Sequence, residues 1–319
     1  IELTSRGNLQ VRAIRDTEAA AELVAAAGLL PSPALERVRN IVASPLSGRS
    51  GGVCDIRGLV TALDTAVQQD PRLARLPGRF LFALDDGRGD VSGLGADAGI
   101  HALDDSTAAL LLAGRDTGVR LGIPDAVAEL SSLAARFTEM RGNCWRVDEL
   151  GDPLTLLGAL TPTAPPGSTW AATTRPPVGW IEQSDGRITL GAGVPLGVLD
   201  ADTARFLAAV NAPMAVTPWR SVLLFDLDDG TADVALRVLA PRGLVFDENS
   251  PWLAVSACTG SPGCERSAAD VRADAAAAVD DPAAGHRHFV GCERACGSPG
   301  HGQVLIATGD GYRPRIAHP

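Results

Sequence analysis

Lysine is absent from the 319 residues: the 28 basic side chains are all arginine, against 38 acidic ones, for a formal net charge of −10. Neutralising a phosphate backbone needs a basic surface, so this balance argues against a general nucleic-acid binder. Any anionic ligand has to be met by local arginine clusters. Long apolar runs are also missing, and none approaches the length of a membrane span, so no membrane-embedded role is expected. No secretory signal precedes the first strand-like residues, which makes the cytoplasm the expected compartment. The chain lacks an initiator methionine and begins at Ile1 inside a strand-like pattern, so upstream residues are expected to have been removed or left out. Apolar residues make up 45% and charged residues 21%, as in a globular protein, and the length allows two domains or one large two-lobed one.

Cysteine is scarce, six in all, yet four are concentrated near the C-terminus. They form two close pairs, Cys258-Thr-Gly-Ser-Pro-Gly-Cys264 and Gly291-Cys292-Glu-Arg-Ala-Cys296-Gly297. Glycine and proline around each pair let the backbone fold tightly about a buried object. Four thiolates offered in this way suit an iron–sulfur cluster, with nearby backbone amides tuning it through hydrogen bonds to sulfur. Zinc also takes four thiolates, but structural zinc knuckles are commonly spaced C-x2–4-C, narrower than the first loop here. Disulfides are a further reading, although a chain of this length can bury a core without staples. Cys54 and Cys144 belong to no motif and read as small buried thiols.

Along the chain, residues 8–14 alternate apolar and polar with the period of a strand. Asp16 or Thr17 caps an Ala-rich helix ended by Gly28, and residues 34–42 read as a second helix. Residues 56–69 have helical periodicity, 79–84 read as a strand before Asp85-Asp86-Gly87, and weaker strands are expected at 100–103 and 108–113. Asp125 to Met140 is an amphipathic helix with an Asp cap and a Gly142 stop. Proline-rich residues 161–177 read as a linker between a first half, 1–160, and a second, 178–319. In the second half, strands are expected at 187–190, 216–225, 253–258, 288–292 and 304–313, and helices at 200–210 and 267–279. Residues 40–48 align weakly with 255–263, and 82–88 with 306–312, which suggests a duplicated α/β unit around a shared cleft. Asp85, Asp86 and Asp310 lie in turn sequences and receive no catalytic role.

The cysteine pairs, the Thr4-x-Arg6-x-x-x-Gln10 strand and the Arg39-Asn40 pair before a small proline loop together resemble siroheme-dependent sulfite and nitrite reductases. The resemblance spans nearly the whole chain. It implies an α+β fold, a pseudo-twofold repeat of ferredoxin-like half-domains and nitrite/sulfite reductase-like α/β lobes around a [4Fe–4S] cluster and a tetrapyrrole. By that resemblance Cys258, Cys264, Cys292 and Cys296 ligate the cluster. The reductases carry two cations in a Leu-Pro-x-Lys-x-Lys strand, whereas here the stretch is Leu76-Pro77-Gly78-Arg79-Phe80-Leu81, so one cation has become Leu81. Losing a cation from a water-poor anion site forfeits on the order of several kcal/mol of transition-state stabilisation, which disfavours anion reduction.

The first strand and Thr217-Pro-Trp-Arg220 most resemble the precorrin-3B synthases of aerobic cobalamin biosynthesis. That resemblance implies an oxidoreductase, a monooxygenase that hydroxylates precorrin-3A with O2 and closes a lactone, with NADH as the overall electron source. An electron-donor protein or NADH-dependent reductase is the implied partner, and siroheme is a cofactor only under the reductase reading. Guanidiniums can bind the many carboxylates of such a macrocycle bidentately, which makes Arg6, Gln10, Arg12, Arg39 and Arg220 the candidate substrate-binding residues. The resemblance also implies a mononuclear non-heme iron. His286, His288 and His301 flank the second cysteine loop, but a histidine there is more often a hydrogen-bonding neighbour than a ligand.

Overall fold

The structure is a computed structural model that describes residues 1–30, 32, 35, 37–167, 169–171, 173, 175–281 and 285–316. Two short antiparallel strands come first, β1 (Glu2–Leu3) and β2 (Leu9–Gln10), with Leu3 opposite Leu9. The alternation over 8–14 yields only this two-residue strand, because Ala13 turns to φ +57° and ends the extension. Asp16 caps α1 (Thr17–Ala26), its carboxylate accepting from Ala19 N at 3.0 Å.

A strand, β3 (Ile41–Ala43), stands where a helix over 34–42 was expected; residues 34 and 36 of that segment lie outside the described ones. Ile41 and Val42 are β-branched and find a parallel partner in β4 (Phe82–Asp85), which decides the matter against local propensity. Between them runs α2 (Arg57–Gln69), anchored by Leu63 and Val67 one turn apart. β5 (Ala98–Ala102), β6 (Thr107–Leu112) and β7 (Arg115–Gly122) complete a sheet in the order β3-β4-β5-β6-β7. Its first three strands are parallel and its last two antiparallel. The β6–β7 turn has Ala113 at φ +49° and Gly114 at φ +72°, the two positive angles of a type I′ hairpin turn. α3 (Ala126–Met140) buries Leu130, Leu133, Ala134 and Phe137, and the Phe137 ring meets Phe80 at 5.2 Å. The expected Asp125 cap makes no side-chain hydrogen bond, because residues 123–125 already form a helical turn.

The later residues build two further sheets. β8 (Gly179–Glu182), β9 (Ile188–Gly193), β10 (Met214–Val216) and β11 (Ser221–Leu227) form an antiparallel sheet ordered β10-β11-β9-β8. It shares a core with α4 (Ala201–Ala209) and α5 (Asp229–Leu239), through Leu190, Val222 and Leu224 against Leu207 and Leu239. Residues 216–225 are therefore a hairpin, with Thr217–Arg220 as its turn, where one strand was expected. β12 (Val255–Ala257), α6 (Val271–Ala277), β13 (Arg287–Val290), β14 (Gln303–Thr308) and β15 (Gly311–Pro314) form the last layer, ordered β12-β13-β14-β15. α6 starts later than expected because Asp270 caps it, accepting from Ala273 N at 3.2 Å.

The fold is thus a mixed α/β one with six helices among the described residues. Two compact units result: Ile1–Arg12 with Thr174–Pro319, and Ala13–Thr173. The N-terminal hairpin groups with the C-terminal residues, since Leu199 N donates to Ile1 O at 2.9 Å. An antiparallel sheet with two helices, as expected of a ferredoxin-like half-domain, occurs once among the described residues, so the anticipated pair of such half-domains is not seen there. The β3–β6 and β12–β15 strands do share one order, two parallel pairings followed by an antiparallel one. In that order Phe82–Asp85 is a second strand and matches β13, so the sequence alignment of 82–88 with 306–312 was displaced by one strand. No described helix is long and apolar enough to cross a membrane.

Candidate metal centre

β12 and β13 are parallel neighbours with Ala257 opposite Phe289, so the two cysteine loops leave the same end of the sheet side by side. Cys258 N donates to Phe289 O at 2.9 Å, and Gly291 N donates to Cys258 Sγ at 3.3 Å. Ala268 N reaches Gly291 O at 2.9 Å and Ser267 N reaches Cys264 O at 3.0 Å, which ties the end of the first loop to the start of the second. A Cβ on residue 291 would lie 1.8 Å from Ser267 Oγ, so this crossing requires glycine. Beyond it the chain turns tightly through Ala295 (φ +46°) and Gly297 (φ +74°). Cys258, Cys264 and Cys292 are half-buried, Cys296 is exposed, and none of the six cysteines is in a disulfide.

Among the described residues no three His, Cys, Asp or Glu side chains converge closely enough to hold a single metal ion. Four sulfurs on one zinc lie within about 4 Å of each other, given Zn–S bonds near 2.3 Å. A cubane cluster places its own atoms between its ligands and spaces them further apart. The four-thiol donor set and the amide aimed at Cys258 Sγ are compatible with a thiolate-held cluster.

Beside the second loop, His288 Nε2 donates to Cys296 O at 3.0 Å. A carbonyl only accepts, which fixes the proton on Nε2 and leaves Nδ1 to accept from Ser256 Oγ at 2.7 Å. Ser256 Oγ in turn accepts from His286 Nε2 at 2.7 Å. Burial, followed by the Arg220 charge, pulls the His288 pKa down to about 3; burial, with His301 and Arg220 after it, pulls His286 to about 4. Both rings are neutral at physiological pH. With both nitrogens engaged, His288 supports the loop and is not open to a metal.

Arg220 sits at φ +56° in the β10–β11 turn and donates from Nη2 to Gly297 O at 3.0 Å. Its stem runs against Gly197, where a Cβ would lie 2.8 Å from Arg220 Cδ. The β1–β2 turn that carries Arg6 lies alongside, for a Cβ on Gly7 would stand 3.3 Å from Val216 O. Arg12 is committed within its own hairpin, to Glu2 Oε2 at 2.8 Å and Gln10 Oε1 at 3.1 Å. Glu2 also receives Arg272 Nη2 at 2.8 Å and Thr259 Oγ1 at 3.1 Å, so the N-terminal strand clamps the first cysteine loop and α6. Arg39 belongs to the other unit, where it grips Asp64 at 2.6 and 2.8 Å. Sequence reasoning missed Glu2, Ser256, Thr259 and Arg272. No local pattern marks them, because apart from the Glu2–Arg12 pair their partners lie from 30 to 270 positions away in the chain.

In the unit of residues 13–173 two backbone contacts of the same kind are made to a serine. Ser44 N donates to Leu84 O at 3.0 Å and Asp86 N donates to Ser44 Oγ at 3.1 Å, as Cys258 and Gly291 do in the other unit. Ser44 thus holds the place of Cys258. The following turn is knotted by Asp85, whose carboxylate accepts from the N–H groups of Gly87, Gly89, Val91 and Ser92. Asp85 and Asp86 therefore do structural work, as their turn sequence suggested. Leu81 is buried in the same unit, with its N–H on Asp97 Oδ2 at 2.8 Å.

No protein-family model matches the chain, and no curated protein matches it. The solved structure of the Mycobacterium tuberculosis NirA protein has a similar fold, with a TM-score of 0.68 at 18% identity. The match covers 86% of this chain and 59% of that one, so the chain spans less than two thirds of the NirA structure's length.

Proposed function

We propose that this chain is an iron–sulfur oxidoreductase acting on a tetrapyrrole, of the precorrin-3B synthase type. The reading is carried by the two cysteine loops leaving adjacent parallel strands and joined by the Gly291 amide on Cys258 Sγ. Cys258, Cys264, Cys292 and Cys296 would hold a [4Fe–4S] cluster, which when bound supplies electrons one at a time. The chain's own contribution is placement and tuning. Gly291 N–H bonds a ligand sulfur, and His288 with Ser256 fixes the carbonyl of Cys296. Arg6, Gln10, Arg12 and Arg39 are the proposed contacts to the macrocycle's carboxylates. Arg12 and Arg39 would exchange Glu2 and Asp64 for substrate carboxylates as they bind.

In the proposed reaction one oxygen atom of O2 enters precorrin-3A as a hydroxyl and the other leaves as water, with two electrons supplied from NADH through an electron-donor protein or reductase. The carboxyl group of a ring acetate then adds across the double bond beside the hydroxylated bridge carbon, its oxygen bonding to the ring carbon and its proton passing to the bridge carbon, which closes the lactone without a further oxidant. Among the described residues no three side chains offer a mononuclear iron site, so no step is assigned to one. A second reading, a siroheme-dependent nitrite or sulfite reductase, is equally compatible with the fold similarity to NirA. Against it stands Leu81, buried where the reductases' motif has a cation. Anaerobically purified protein is expected to contain iron and acid-labile sulfide in cluster stoichiometry, with no extractable siroheme. Cys296→Ser should bleach the broad visible absorption. An unchanged spectrum in that variant sinks the ligand assignment, and extracted siroheme moves the chain to the reductase reading.

A further inference from the structure

Arg220 and Arg272 both lie beside the cysteine loops, and they differ in their partners. Arg272 is answered by Glu2 at 2.8 Å. Arg220 has no carboxylate within ion-pairing reach among the described residues; it donates to the Gly297 carbonyl, next to Cys296. Arg220 is half-buried, and burial, then the like charge of Arg272, lower its pKa to about 10, with an opposing contribution from the Cys258 thiol group. It stays protonated at any physiological pH. A partly desolvated cation is unfavourable unless an anion answers it, and the hydrogen bond to Gly297 O sets this one beside the residue next to Cys296. The backbone spends conformational freedom to keep it there, with a positive φ at Arg220 and glycines at 197 and 297 making room for its stem and head.

We infer that Arg220 is the counter-charge of the thiolate-held centre and raises its reduction potential, rather than acting as a clamp on substrate carboxylates. A fixed positive charge favours the more negative, reduced state of such a centre, and the peptide carbonyl of Gly297 holds that charge against the second loop. The inference rests on the cluster reading above, and the two fail separately. Parent protein without iron and sulfide defeats the cluster reading, whereas this inference is decided by the potential of a cluster that is present.

The test is a redox titration of anaerobically purified protein, followed by the electron paramagnetic resonance signal of the reduced cluster, in the parent, Arg220→Met and Arg220→Lys. Arg220→Met should lower the equilibrium constant for reduction at least tenfold, which is 59 mV for a one-electron couple. Arg220→Lys, which keeps the charge, should stay within threefold of the parent. A Met variant within threefold of the parent overturns the inference, as does an equal fall in both variants, which would report geometry and not charge. If Arg220→Met does not retain its cluster, the Lys variant decides: retention at a near-parent potential supports the counter-charge, and loss or a tenfold fall overturns it.

Discussion

Replacing Gly291 by Ala places a methyl carbon 1.8 Å from Ser267 Oγ, 2.6 Å from Ser267 Cβ and 2.9 Å from Ser267 Cα, where ordinary contact begins at 3.4 Å. Rotating the serine removes only the first clash, since the other two involve atoms fixed by the backbone. Ser267 is itself held by its N–H on Cys264 O at 3.0 Å and its hydroxyl on Ala269 O at 2.7 Å, so the first cysteine loop must move as a piece. That movement strains the Ala268 N to Gly291 O bond and the Gly291 N to Cys258 Sγ bond together. Overpacking of this kind costs about 1–3 kcal/mol, and losing the two hydrogen bonds adds roughly 1 kcal/mol each. Gly291→Ala should therefore melt at lower temperature and be purified with less cluster than the parent, read by circular dichroism and by iron and sulfide analysis. Ser267→Gly in the same chain removes the side-chain clashes and should restore part of both. A single variant with parental melting temperature and cluster content, or a double variant no better than the single, refutes the steric coupling of the two loops.

Two further outcomes follow from charge. Burial, followed by the neighbouring charge of Asp85, pushes the Asp90 carboxyl up from its ordinary 3.8 to about 6. The folded protein therefore keeps a proton that the unfolded chain has already released between pH 4 and 6, so stability falls across that window by about 3 kcal/mol and levels off above it. Asp90→Asn should flatten this step in urea titrations at pH 4 and pH 7.5; an unchanged difference between the two pH values contradicts the assignment. Burial opposes ionisation of Glu2, but the hydrogen bonds from Arg272 and Arg12 outweigh it and hold the carboxyl below its ordinary range. Its contribution is present at neutral pH and lost as pH falls through the acid range, so Glu2→Gln should destabilise by roughly 1–3 kcal/mol at pH 7 and by little at pH 3. A pH-independent cost would mean that the clamp acts by packing and not by charge.

The legibility of the chain followed the range of the interactions. α2, α3 and α4 and the strands β4, β5, β6 and β9 were readable because periodicity and turn residues are local signals. β3 was not, since Ile41 and Val42 become a strand only through Phe82–Leu84, some forty positions away. The Thr217–Arg220 turn was hidden inside an apolar run that reads as one strand until its two arms pair with each other. The displaced repeat had the same cause. Sequence similarity between Phe82–Arg88 and Ile306–Tyr312 lay in their turns, whereas strand pairing sets the equivalence of β4 with β13. Of the candidate substrate arginines, residue type alone could not distinguish Arg12 and Arg39, which are already ion-paired, from Arg220, which has no carboxylate.

What the sequence determined alone was the chemistry on offer: four cysteines in two glycine-rich loops are a chemical statement that needs no coordinates, because residue type and spacing are covalent properties of the chain. The tertiary structure decided what surrounds those thiols. Parallel pairing of β12 with β13 brings the loops to one sheet end, Glu2 reaches Thr259 and Arg272 from the far end of the chain, and Arg220 arrives from another sheet at the carbonyl next to Cys296. Electrostatics depends on distance through space, and separation along a chain carries no such distance until the chain is folded.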